Sequence, residues 1–117
     1  MISRIWHGWT TVENADPYEL LLHTEIFVNI KQRQITGFKG IQLLRRKLES
    51  EVEFITVMWF ESIESIKDFA GEDYKIAVAP PRARMLLSRF DEHSEHYEVK
   101  SMVGSIFSDP TSEALNN

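Results

Sequence analysis

Trp6, His7 and Trp9 stand within four positions of one another in the stretch RIWHGWTT, residues 4 to 11. An imidazole that titrates near neutrality could take a proton from a substrate, and indoles could hold a flat ring. Spacing decides how much of that is possible. In an extended strand successive side chains point to opposite faces. Arg4, Trp6, Gly8 and Thr10 then share one side, and Ile5, His7, Trp9 and Thr11 the other. Trp6 and Trp9 cannot form one clamp, and His7 goes with Trp9. Gly8, on the Trp6 side, leaves space for a ligand or for a closely packed helix.

Other residues could also carry chemistry. Tyr74 falls in the irregular stretch after the second helical region, where a phenol could hydrogen-bond a substrate oxygen. His93 and His96 are three apart, a spacing that would share a metal ion on a helix. The neighbouring HYEV favours a strand, where that spacing points them apart, so no metal site is expected. Glu92, Glu95 and Glu98 read as the solvated face of an edge strand. Arg82 and Arg84, near a helix start, could bind an anion, but pairing with the acidic surface is the simpler reading. Nothing resembles a serine nucleophile elbow or a phosphate-binding loop.

Composition narrows the class. The 117 residues are 43% hydrophobic and 26% charged, ordinary for one globular domain with one core. No apolar run is long enough for a membrane helix, and MISRIWHGW lacks the pattern of a signal peptide. Cysteine is absent, so disulfides and thiolate metal sites are excluded and a cytoplasmic setting is expected. The net charge is −5, and the only basic run is Arg45 to Lys47. A footprint for nucleic acid is missing.

The elements that must position these residues are legible in outline. Residues 2–11 form a strand rich in β-branched and aromatic side chains. A helix follows, with Asp16 expected at the N-cap, Pro17 in the first helical position and Glu19 completing a capping box. Tyr18, Leu22, Ile26 and Ile30 recur every four residues as its apolar stripe, with Leu21 beside them, and Gly37 is expected to stop it. Residues 38–48 and 51–60 read as strands around the polar turn ESE. Ser62 caps a short helix with Ile63, Ile66 and Phe69 on one face and Gly71 as terminator. Pro80 and Pro81 break the chain before a further helix, PRARMLLSRF, and SEHYEVKSM is the last strand. Residues 1–100 make the domain, and residues 101–117 a polar tail.

This order, β-α-β-β-α-β, is a ferredoxin-like α+β plait with an antiparallel sheet. Its third strand sends Phe54, Thr56, Met58 and Phe60 one way and Ile55, Val57 and Trp59 the other. Both faces are apolar, and one layer of helices covers one of them. A homodimer is therefore expected, with a second subunit on the other face.

The strand EVEFITVMWFES, its continuation SIESIKDFAGEDY, the APP break and the closing SRFDEHSEHYEVK resemble the antibiotic biosynthesis monooxygenase family of the dimeric α+β barrel superfamily. The resemblance implies a pocket between sheet and helices for a small flat oxygenated aromatic of quinol or phenol type. It also implies monooxygenation without a cofactor, the deprotonated substrate supplying electrons to oxygen. In that reading Trp6, Phe60, Trp59 and Phe69 contact the substrate and Tyr74 is the catalytic hydrogen-bonding group. Phe60-Glu61-Ser62 matches the end of the family's third strand, with Phe where Trp is commoner. Two histidines frequent in relatives correspond here to Phe69 and Asp73. The positions that serve haem in haem-degrading relatives correspond to Trp6 and Ala79, which can do neither job. The alternative reading is a noncatalytic ligand-binding or stress-response dimer on the same scaffold.

Overall fold

The computed structural model describes residues 1–104, so the tail expected over 101–117 lies mostly outside the described residues. Its strands are β1 (Ile2–Thr11), β2 (Phe38–Lys47), β3 (Glu51–Phe60), β4 (Leu87–Phe90) and β5 (Glu95–Glu98). They form an antiparallel sheet in the order β2-β3-β1-β4, with β5 also on β1. This is the expected plait with its fourth strand position divided. β4 pairs with β1 at Gly8 to Thr10, and β5 pairs with it at Ile2 to Ile5. Between them the chain leaves the sheet, and His93 bridges to Ile76 instead.

The first helix begins earlier than its capping residues suggest. Helix α1 spans Val12–Leu21, its N-cap is Thr11, and Thr11 Oγ1 accepts from the Asn14 amide at 3.2 Å. Pro17 is therefore inside the helix and cannot donate to the carbonyl of Glu13, an exposed residue that solvent can serve. The earlier start puts Ala15 into the core beside Tyr18 and Leu22, the helical i, i+3, i+7 pattern. Asp16 and Glu19, three apart on one face, hold Arg45 at 2.8 and 3.0 Å instead of capping.

A π turn, Leu22–Ile26, joins α1 to α2 (Phe27–Gln32), and the Phe27 amide bonds the Leu22 carbonyl. This explains the four-residue stripe. In an α-helix each four-residue step overshoots a full turn by about 40°. A π turn, at about 4.4 residues per turn, undershoots and brings Ile26 and Ile30 back over the sheet. Gly37 does not end this helix. Arg33 is the C-cap, and Gln34 adopts the left-handed conformation. Gly37, with φ of 86°, lies where an added Cβ would be 2.1 Å from Ser65 Oγ, so it serves a close approach to the next helix.

Helix α3 (Ile63–Ala70) follows its local signals, with Ser62 as N-cap and Gly71, φ of 92°, as C-cap. Helix α4 (Pro81–Leu86) is shorter than expected, because Leu87 to Phe90 join β1 as a strand. Tertiary contact overrides the helical pattern there. Leu87 packs on Gly8, and the Phe90 ring lies 5.9 Å from that of Trp6.

The core on the helix side of the sheet forms two clusters. One gathers Ala15, Tyr18, Leu21, Leu22, Val52, Phe54 and Ala83; the other gathers Met58, Phe60, Ile66 and Phe69. Thr56, between Phe54 and Met58 on the same face of β3, lies opposite Trp6 and belongs to neither. No helix among the described residues is long and apolar enough to cross a membrane.

Candidate functional site

The gap between the two clusters is a cavity of about 50 Å³. Trp6 and Thr56, paired across β1 and β3, line it, as do Arg4 and Met58 from the next-but-one pair. The first helix and its π turn contribute Tyr18, Leu22 and Ile26, and α3 contributes Phe69. Val78 to Pro80 and Ala83 bound it on another side, and Ser94 reaches it from the irregular segment before β5. A water needs about 10–15 Å³ of such space, so the cavity has room for about four waters, the scale of a single ring.

Trp6 is held rigidly. Its Nε1 donates to the Asp91 carbonyl at 2.6 Å, so the indole offers a ligand its ring and not its N–H. Polar groups of another kind face the cavity. Arg4 is only 3% exposed, yet no carboxylate is among its partners in the described residues. Its guanidinium donates to the carbonyls of Tyr74 and Ile76 and to His96 Nε2 at 2.9 Å, and lies 5.6 Å from the centre of the Phe69 ring. Burial lowers its pKa to about 10, so it remains charged at neutral pH.

His96 accommodates that charge. Arginine has no acceptor, so Nε2 of His96 must accept the bond and the ring is neutral. Burial first, then the charges of Arg4 and Lys75, lower the His96 pKa to about 4. Tyr18 is 1% exposed and its pKa is pushed up by burial, so it stays a phenol. The Ser94 hydroxyl is buried without a hydrogen-bond partner among the described residues. The cavity thus combines an apolar surround with a guanidinium and two hydroxyls.

The residues expected at the site are only partly brought together. Trp6 and Phe69 line the cavity. Phe60 lies behind it, fully buried with its ring 5.8 Å from that of Phe69. Trp59 stands on the opposite face of the sheet, as its place between Met58 and Phe60 requires. The Tyr74 side chain packs edge-on against His96, 5.1 Å between ring centres, and borders a separate open hollow with Asp73 and His93. Tyr74 meets Arg4 through its main-chain carbonyl. His7 faces away from the cavity, bonded to Glu53 at 3.2 Å and stacked on Trp9. The space beside Gly8 is taken by Leu87 and the Trp6 ring. Arg82 pairs with Glu25, whereas Arg84 donates to the Ala79 carbonyl at 2.7 Å and, among the described residues, to no acid.

Arg4, Tyr18 and Ser94 were not singled out by residue type. Alternation does place Arg4 on the Trp6 side, and a charge on the buried face of a strand is a usable signal. Tyr18 is legible as part of the apolar stripe. Ser94 carries no sequence signal.

No protein-family model matches the sequence, and no curated protein matches it. Solved structures do. A candidate antibiotic biosynthesis monooxygenase from Bacillus cereus superposes with a TM-score of 0.62 at 15% identity, covering 89% of this chain and 95% of its own. The haem-degrader MhuD from Mycobacterium tuberculosis, solved with two haems bound in its active site, gives 0.55 at 23% identity, over 89% and 100%. A variant of MhuD with two manganese protoporphyrins per active site gives 0.54 at 23% identity, over 89% and 99%. Over nearly nine-tenths of its length, then, this chain has the ferredoxin-like α+β fold of these proteins.

Proposed function

We propose that the chain binds a small, flat, oxygenated aromatic of phenol or quinol type in the cavity between sheet and helices, and oxygenates it without a cofactor. The carrying observation is the interrupted core, where Trp6 and Phe69 border a space of ring size that also holds polar groups. Two neighbours in fold, a candidate monooxygenase and a haem-degrader, support oxygen chemistry on this scaffold. In the simplest case a phenol and dioxygen give a quinone and water: one oxygen atom enters the ring and the other leaves reduced. In this reading Trp6 and Phe69 hold the ring and Phe60 backs Phe69. Tyr74 takes part through the carbonyl that anchors Arg4.

Tryptophan fluorescence during titration with phenol, hydroquinone and 1-naphthol tests the binding. Saturable quenching that is lost in Trp6→Phe, accompanied by oxygen uptake with the same compound, is the expected result. Linear quenching unchanged by Trp6→Phe would remove the pocket from consideration. One observation favours the noncatalytic alternative: Arg4 and Tyr18 both keep their protons at neutral pH, so neither serves as a base. Saturable binding without oxygen uptake would decide for that alternative.

The same reading includes a second copy of the chain on the other face of the sheet. Ile5, Trp9, Leu44 and Ile55 share that face, and both core clusters draw their helical residues from the opposite one. Leu44 is 42% exposed in the single chain, so Leu44→Glu should leave the fold intact and convert dimer to monomer in sedimentation. A wild-type chain that sediments as a monomer would refute the dimer.

A further inference from the structure

Two side chains in the cavity lack the partners that burial normally demands. A buried charge is usually paired, and a buried hydroxyl is usually bonded. Arg4 has neither a carboxylate nor a full set of acceptors. A guanidinium has five N–H donors, and three interactions with described residues account for three of them. Ser94, 3% exposed, has a hydroxyl with no partner among the described residues. The two residues are 90 positions apart in sequence and line the same space.

Among the described residues no carboxylate bonds Arg4, although Asp73 and Glu95 neighbour its partners Tyr74 and His96 in the chain. His96 on β5 accepts its bond as a neutral ring. Lys75 acts on His96 from the loop, and Arg33 lies over the Phe69 ring, 5.5 Å from its centre. Tyr18 faces the cavity from α1 as a neutral phenol. An anion would supply the counter-charge that Arg4 lacks among the described residues.

We infer that Arg4 and Ser94 form an oxyanion subsite and that the cavity selects a single-ring aromatic carrying one anionic oxygen group, a phenolate or a carboxylate. This rests on the ligand-binding role proposed for the same cavity and gives it a mechanism. Arg4 stabilises the ionised form of a bound phenol, so the proton leaves to solvent without a protein base. Ser94 donates its hydroxyl to the same oxygen group, and Trp6 and Phe69 hold the ring.

The test uses the full chain with benzoate, its neutral isostere benzamide, and 4-nitrophenol, whose absorbance reports its ionisation. Benzoate should bind at least tenfold tighter than benzamide, read by tryptophan quenching. Bound 4-nitrophenol should ionise at least one pH unit below the free compound. Arg4→Met should abolish both effects and Ser94→Ala should weaken both; if Arg4→Met does not fold, Ser94→Ala decides. Tighter binding of nitrophenolate than of benzoate identifies phenolate as the preferred source of the charge, and the reverse identifies carboxylate. Saturable binding of all three with no charge preference, or with nitrophenol ionising no more readily than in water, overturns the subsite and leaves the pocket standing. Absence of saturable binding by any of them overturns the pocket and the subsite together.

Discussion

Replacing Ser94 by alanine should make the protein more stable. The hydroxyl is buried without a partner among the described residues, and a buried polar group left unpaired costs about 1–3 kcal/mol. Removing one oxygen gives up a small amount of packing, and the cavity beside it already lacks atoms to touch. The net gain should be about 1 kcal/mol, which raises Tm by about 4 °C in a domain of this size. Thr10 provides the control. Its hydroxyl is equally unpartnered and fully buried, but Thr10 does not line the cavity. Thr10→Val, which keeps the shape, should stabilise by a similar amount and leave ligand binding unchanged. Urea unfolding at neutral pH and matched protein concentration measures both, since association of the chain would make stability concentration-dependent. A Ser94→Ala protein no more stable than wild type, beside a stabilised Thr10→Val, would refute the reasoning. Ser94 would then be satisfied in the unliganded protein and not held in reserve for a ligand.

Gly37→Ala should cost about 3 kcal/mol, from the left-handed conformation and from the clash with Ser65. Adding Ser65→Ala should recover only the part due to the hydroxyl, as chemical denaturation of the two variants would show. Thr11→Ala should cost about 1 kcal/mol and Asp16→Ala much less, because Thr11 caps the helix and Asp16 makes an exposed pair; equal losses in urea unfolding would contradict the observed helix start. His96 should also make stability depend on pH. Its pKa falls from 6.5 in the unfolded chain to about 4 in the fold, so between those values the unfolded chain takes up a proton that the folded chain refuses. The contribution is full above pH 6.5, declines as pH falls through the window, and is gone below about 4. The ring is partly exposed, which reduces the effect to about 1 kcal/mol. His96→Asn, which can still accept from Arg4, should flatten that part of the stability–pH curve, and an unchanged slope would show that His96 is not the group responsible.

The amino-acid sequence alone determined the strands β1, β2 and β3, the separation of Trp6 from Trp9, the capped helix α3 and the ferredoxin-like plait. All of these depend on local regularities. Alternation has a period of two, a cap acts within three residues, and β3 shows apolar side chains on both faces without reference to any neighbour. What only the tertiary structure decided is where those regularities compete or meet. Thr11 and Asp16 could both cap a helix, and burial of Ala15 settles the choice. Residues 87–90 fit a helix by pattern, but the free edge of β1 beside Gly8 draws them into the sheet. The candidate site belongs to this second class. Trp6 and Phe69 could be named from pattern and resemblance, because aromatic residues announce themselves. Arg4 is legible only as a charge on the Trp6 side of its strand, and Ser94 carries no signal; the two become a site only when the divided fourth strand brings residue 94 to the cavity that Arg4 lines. Unsatisfied polarity is a property of a folded interior, because in an extended chain water satisfies both groups.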